Sequence, residues 1–150
     1  DSIQALPRLI NMGVDPFLLT SALRTVIAQR LVRKLCGECR EQIQLSTAAQ
    51  AVIKAEIGAL NPKTPMIFYK ARGCEKCKSG YAGRLGIFEV LPINSKIQSM
   101  IIDRKSDKEI MAAAKESGFI TMRQDGFLKA GQGLTTIDEV IKATSTGDNE

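Results

Sequence analysis

The sequence predicts a mixed α/β chain of α+β character, richer in helix than in strand and stapled by a metal. All four cysteines fall in two Cys-x-x-Cys pairs, Cys36/Cys39 and Cys74/Cys77, separated by 34 residues. Two apolar runs bounded by Gly or Pro, "MIFYKA" and "GRLGIFEVL", read as strands. A series of Ser/Thr-x-x-Glu/Gln signatures, each followed by apolar residues at helical spacing, announces helices.

At 150 residues and 44% hydrophobic content, the chain can bury one compact core or two small ones. No apolar run approaches the ~18–20 residues of a membrane-spanning helix, and no signal-peptide h-region opens the chain. The first residue is Asp1 rather than an initiator Met, which suits a piece of something longer. The net charge is +5 with no His, and the pI is near 9.1. Such an excess suits nucleic acid or acidic partners, and equally a solvated surface. Four thiolates on one divalent zinc would bring the net to about +3, so charge decides little.

In chain order, "TSALRTVIAQRLVRKL" (20–35) carries the longest helical pattern. Leu23, Ile27, Leu31 and Leu35 repeat at i+4, Ala28 and Val32 widen the stripe, and Thr20 or Ser21 can cap it. In that helix Arg24 leaves from the apolar face, where a guanidinium needs a carboxylate, a carbonyl or a phosphate. A salt bridge across a domain face is the simplest reading. The first Cys pair follows, its turn eased by Gly37. Residues 47–58 read as a helix with a Thr47/Gln50 capping box and a stop at Gly58. "NPKTP" breaks the chain before "MIFYKA", which leads to the second pair between Gly73 and Ser79-Gly80. A strand then enters at Gly86 and stops at Pro92. Short helices follow, with boxes at Ser95/Gln98, Ser106/Glu109, Thr121/Gln124 and Thr136/Glu139. Gly118 and Gly131 punctuate them, and "STGDNE" reads as a polar, disordered tail.

The cysteine pattern points to one closed zinc site. Zinc accepts a tetrahedron of thiolates, and two-residue spacers let paired sulfurs point inward. With no His in the chain, Cys36, Cys39, Cys74 and Cys77 are the ligands available; four protein ligands leave no open position, so the site reads as structural. A thioredoxin-like couple would use one Cys-x-x-Cys, and a disulfide framework would want a secretory context. Catalytic signals are missing. There is no G-x-x-x-x-G-K-[ST] loop, no G-x-G-x-x-G after a strand, and no His for a general base or triad. Two other classes stay open on the residues alone. One is a zinc-containing nucleic-acid-binding module, disfavoured by 5% aromatics and no interleaving of basic with aromatic residues. The other is a redox protein with two reactive couples.

The order of segments carries a resemblance. "RLINMGVDPFLLTSALRTVIAQRLVRKLC", "CREQ", "YKARGCEKCKSGYAGRLGIFEVL" and "MRQDGFLKAGQGLTTIDEVIKAT" together resemble the bacterial type II secretion and type IV pilus assembly ATPases, from about Leu6 to Thr144. The resemblance implies the C-terminal part of a P-loop motor whose Walker and histidine boxes precede this segment. Residues 1–35 would end a RecA-like core, 36–77 would form the tetracysteine zinc module, and 78–150 a return strand and helical subdomain. It implies zinc on Cys36, Cys39, Cys74 and Cys77, and ATP with Mg in the full-length parent, the present segment being inactive alone. It also implies a homo-hexamer on the cytoplasmic face of the inner membrane, an integral-membrane platform protein as partner, and no nucleic acid. Retraction motors generally lack the four cysteines, so assembly or secretion is favoured, with a slight lean toward pilus assembly. Arg24 is expected at a domain or subunit face of that motor.

Overall fold

The computed structural model describes residues 1–62 and 65–145. Helices are α1 (Ala5–Asn11), α2 (Pro16–Ala22), α3 (Thr47–Ile57), α4 (Ser95–Ile102), α5 (Asp107–Glu116), α6 (Met122–Gly131) and α7 (Ile137–Thr144). Strands are β1 (Thr25–Leu35), β2 (Glu41–Gln42), β3 (Tyr69–Lys70) and β4 (Tyr81–Pro92). β1 pairs with β4, and β2 pairs antiparallel with β3 through Glu41↔Lys70 and Gln42↔Tyr69. The chain is therefore mixed α/β, as expected. It divides into two units: residues 1–29 with 88–121, and residues 30–87 with 122 onward.

The helix expected over 20–35 is corrected. Pro16 opens α2 one turn earlier, Asp15 Oδ1 accepts from the N–H of Phe17 and Leu18, and the helix ends at Ala22. Thr20 and Ser21 do not cap it; their hydroxyls donate to the carbonyls of Phe17 and Leu18. From Thr25 the chain is strand. An i+4 repeat is also a multiple of two, so Ile27 and Leu31 fit one face of a strand as well as one face of a helix. Thr25, Val26, Ile27 and Val32 are β-branched and prefer the strand when a partner such as β4 is available. Arg24 then has no helical face to leave from. It is exposed ahead of β1, and its carbonyl accepts from the Ile93 N–H at 2.9 Å.

Two of the five helix starts are capped one residue upstream of where the box pattern puts them. Ser46, not Thr47, caps α3, and Gln50 donates to the Leu45 carbonyl. Asn94, not Ser95, caps α4. In each case the residue with extended backbone is the one upstream, and a cap needs that conformation. Ser106 and Glu109 form the full reciprocal box on α5. Thr136 caps α7 through the Glu139 N–H, but the Glu139 carboxylate is used elsewhere. Gly58 follows α3 as the start of a 3-10 turn, and Asn61 takes the left-handed conformation. β3 is two residues rather than all of "MIFYKA", while β4 starts at Tyr81, five residues before Gly86, and stops at Pro92 as expected. Of the expected polar tail, 146–150 lie outside the described residues, as do Lys63 and Thr64 of "NPKTP".

The first unit packs Ile3, Leu6, Leu91, Ile97, Ile101, Ile110 and Phe119 into one core. In it Glu89, 6% exposed, accepts through Oε2 from the N–H and Oγ of Ser2 at 2.9 and 3.0 Å. The second unit is built on Ile53, Ile57, Phe68, Phe127, Ala130 and Val140. Gly126 permits the α6–α7 approach, since a Cβ there would lie 2.5 Å from a Val140 methyl.

One ion pair organises the second unit. Glu139 Oε1 accepts from Arg33 Nη2 at 2.6 Å and Oε2 from the Arg33 N–H at 3.0 Å, while the guanidinium stacks 4.0 Å over Tyr81. Hydrogen bonding to the Arg33 guanidinium holds the Glu139 carboxyl below its ordinary value, against the opposing effect of burial. A depressed carboxyl value contributes stability above the ordinary value of 4.5 and loses it as pH falls through the lower folded value. Glu139→Gln should therefore lower Tm at neutral pH, and the gap to wild type should close as the pH is taken below that range. Melts across pH check this; a pH-independent gap counts against it. Gly133→Ala should destabilise by about 1–3 kcal/mol. Its φ is +72°, and a Cβ would lie 2.5 Å from Arg40 Nη1 and 2.8 Å from the Tyr69 ring. Denaturant unfolding measures that cost, and an unchanged midpoint would refute it.

Candidate metal centre

The first knuckle starts where β1 ends. Leu35 is the last residue of the strand, and the Cys36 N–H donates to the Gly80 carbonyl at 2.9 Å. Gly80 in turn immediately precedes β4. The second knuckle closes on itself: the Cys77 N–H donates to the Cys74 carbonyl at 3.2 Å, and the Cys74 N–H points at Cys77 Sγ at 3.3 Å. Its glycines match the turn chemistry expected of them. Gly73 has φ +104° and Gly80 φ +86°, with Ser79 also left-handed at +54°. A Cβ on Gly80 would lie 2.6 Å from the Ala71 Cβ and 2.8 Å from the Arg72 nitrogen, so a larger residue would push the knuckle apart. Gly37 needs no such allowance, having neither a left-handed φ nor a close neighbour.

These turns bring all four sulfurs within 4.8 Å of one another. Cys39 and Cys77 stand 3.6 Å apart, Cys74 and Cys77 3.6 Å, and Cys36 and Cys74 4.0 Å. A tetrahedron with zinc–sulfur bonds of ~2.3 Å has sulfur–sulfur edges of about 3.8 Å. A disulfide would need about 2.05 Å, and all four thiols are free. The donor set and its spacing thus fit a soft, four-coordinate metal, with no position left for water or substrate.

The thiols differ in acidity as a crowded cluster must. Burial pushes the Cys39 thiol up to about 12, despite the Gly73 backbone bond that favours its thiolate. Burial opposes ionisation of Cys77 as well, but backbone bonds from Cys74 and Gly80 and the neighbouring thiols of Cys74 and Cys39 hold it down to about 7. For Cys74 the Lys76 backbone bond favours the thiolate, yet Cys77 and burial outweigh it and the value is raised. One favoured thiolate among reluctant neighbours is an arrangement that a divalent cation converts to four ligands.

One supporting residue was not singled out from the sequence. Arg40, next to the first pair, stacks 4.5 Å over Tyr69 and donates through Nη1 to the Gly133 carbonyl at 2.5 Å, tying the knuckle to the turn after α6. Its adjacency to Cys39 was the available signal, but nothing local names a carbonyl 93 positions away. Arg24 lies in the first unit and is not part of this centre. Among the described residues, no helix is long and apolar enough to cross a membrane.

Comparison with known proteins places the chain. The model of the family described as "Type II/IV secretion system protein" matches residues 1–142. A type II secretion system protein E of Pseudomonas aeruginosa is 38% identical over 144 residues, covering 95% of this chain and 28% of that protein. The type IV pilus assembly ATPase PilB of Thermus thermophilus is also 38% identical, over 148 residues, 96% of this chain and 16% of that protein. The type II secretion system ATPase E of Vibrio cholerae is 35% identical, with 95% of this chain and 27% of that protein covered. The chain spans less than a third of the length of each of these relatives. With four thiols converging at its centre and this family's model matching residues 1–142, the chain is a member of the type II/IV secretion system protein family.

Proposed function

We propose that this chain is the C-terminal, zinc-braced part of a hexameric motor ATPase that powers type IV pilus assembly or type II protein secretion. The reading is supported by the family match and by relatives of both kinds at equal identity. The observation that carries the zinc assignment is the set of sulfur–sulfur distances, 3.6 to 4.0 Å, close to the edge of a tetrathiolate site. Within the motor, residues 1–35 would complete a RecA-like core, 36–77 form the zinc module, and 78–150 supply the return strand and helical subdomain. ATP and Mg would be held by residues outside this chain, which has no Walker A loop. The motor would work at the cytoplasmic face of the inner membrane, passing its motion to a membrane-embedded platform protein.

Zinc, when bound, supplies a closed cross-link and no reactive position. The chain's own residues do the rest: Gly73 and Gly80 shape the turns, Cys36 and Gly80 bond the end of β1 to the start of β4, and Arg40 anchors the knuckle to the Gly133 turn. Joining Cys36 to Cys77 closes a long loop whose entropy would otherwise oppose order.

The full-length subunit should bind one zinc per polypeptide, and cobalt(II) in its place should show the absorption of tetrahedral thiolate coordination. Cys74→Ser should abolish stoichiometric zinc and lower Tm, and it should reduce ATP hydrolysis by the assembled motor. A metal-free protein with unchanged melting would remove the brace; full-length subunit without ATPase activity would remove the motor. Arg24→Ala should weaken assembly or ATPase activity if Arg24 lies at a subunit face, and wild-type behaviour of both would retire that role. Salt-dependent binding of duplex or single-stranded nucleic acid would instead favour the nucleic-acid module.

A further inference from the structure

The four sulfurs of the second unit do not meet their surroundings equally. Cys36 is 4% exposed, whereas Cys39, Cys74 and Cys77 are half-buried, so a small solute can reach three of the four. Nor are they spaced equally. Cys77 Sγ lies 3.6 Å from Cys39 Sγ on the other knuckle and 3.6 Å from Cys74 Sγ on its own. Cys36 and Cys74, the other cross-knuckle pair, stand 4.0 Å apart. Three pairings could use all four sulfurs. Among the described residues, the pairing of Cys39 with Cys77 and Cys36 with Cys74 is the one with a sulfur–sulfur hydrogen-bond contact along both of its bonds. The backbones are set for it. Cys36 N–H donates to the Gly80 carbonyl, and Glu38 and Lys76, each inside one knuckle, approach to 3.6 Å across the gap.

We propose that peroxide oxidises this centre to two cross-knuckle disulfides, Cys39–Cys77 and Cys36–Cys74, releasing zinc while the loop between the knuckles stays closed. This rests on the zinc reading of the site. In each pair one thiolate attacks a peroxide oxygen and breaks the O–O bond, giving a sulfenic acid and hydroxide. The partner thiolate then attacks that sulfur and expels a second hydroxide, leaving the disulfide. Four thiolates thus give four electrons to two peroxides, and four hydroxides and the metal ion depart. Cys39 and Cys77 pair first, both being accessible; Cys74 is then the accessible member of the pair that takes in buried Cys36. Closing a 3.6 Å contact to a disulfide of about 2.05 Å takes a shift of about 1.6 Å, within reach of χ1 rotation. The consequence lies in which loops close. Cross-knuckle bonds tie the ends of the segment that carries α3, as zinc does; bonds within each knuckle would close two short turns and leave that segment untied. Where cellular thiols keep the surroundings reducing, such disulfides are transient, and their reduction returns the four thiolates to zinc.

Titrating the zinc-loaded, unsubstituted full-length subunit with hydrogen peroxide tests this, a chromogenic chelator reporting released metal and mass spectrometry mapping the linked peptides. Glu38 and Lys76 give cleavage points inside each knuckle, so the three pairings yield different linked peptides. About one zinc should leave for every two peroxides consumed, with Cys39–Cys77 and Cys36–Cys74 as the linked species. Dithiothreitol and added zinc should then restore the metal. Amide exchange reads the brace through Ile43, whose N–H donates to the Phe68 carbonyl inside the segment between the knuckles. Its exchange should stay within about threefold of the zinc form after oxidation, and rise at least about tenfold in reduced, metal-free protein. Linkage within each knuckle, sulfinic or sulfonic acids in place of disulfides, or zinc retained in excess peroxide would each overturn the proposal. So would exchange at Ile43 as fast in the oxidised as in the reduced, metal-free protein. A subunit that holds no zinc at the outset yet yields the cross-knuckle linkages would remove the zinc reading and leave the pairing standing.

Discussion

The second unit depends on what happens where two strands meet two knuckles. β1 runs directly into Cys36, β4 runs directly out of Gly80, and one hydrogen bond joins those two residues. A two-stranded ribbon is marginal in water and easily slips register, because little beyond its own ladder holds it. Here the end of the ribbon meets four thiols drawn from either side of a 34-residue excursion, which a bound metal would tie together. The excursion carries α3, whose Ile53 and Ile57 complete the core with Phe127 and Val140. Tying the knuckles would thus fix register and core together.

The polar contacts repeat that logic at a distance from the sulfurs. Arg33 and Arg40 each stack on a tyrosine and reach a partner near α7 or the turn before it. Each guanidinium has a planar face for the ring and directed N–H groups for the acceptor, which a lysine could not offer together. Glu139 is the costly member, a carboxylate 9% exposed. It is tolerated because both oxygens are bonded, one by a cation and one by the backbone of β1. An apolar residue there would leave the Arg33 N–H without its acceptor.

How much of this was legible depended on the range of the interaction. The cysteine spacing names its own partners, so the cluster of four could be read without a structure. Ser106 with Glu109 is equally local and appears as read, while caps at 46 and 94 slipped by one because several neighbouring residues could serve. The failure over 20–35 is instructive. Leu23, Ile27, Leu31 and Leu35 satisfy both periods, and the choice between them was made by β4, which begins 46 positions after β1 ends. Arg24 was misplaced as a consequence, since its apolar face existed only in that helix. The pairing of Glu139 with Arg33, across 106 positions, left no local trace beyond a box whose second half was diverted.

The basic balance of the chain has a local explanation once the sulfurs are together. In the proposed zinc-bound form, four thiolates and one divalent ion carry a net charge of −2. Around the second knuckle stand Lys70, Arg72, Lys76 and Lys78 against Glu75. Lys70 and Lys76 reach Glu41 and Glu38 at 3.4 and 3.6 Å, while Arg72 and Lys78 have no ion pair among the described residues. Cations beside a thiolate cluster favour the ionised sulfurs that a metal needs. A nucleic-acid surface would spread such cations along a groove and interleave aromatic platforms, but Tyr69 and Tyr81 are already covered by Arg40 and Arg33. The positive charge around the second knuckle is the complement that a metal held by the four sulfurs would favour.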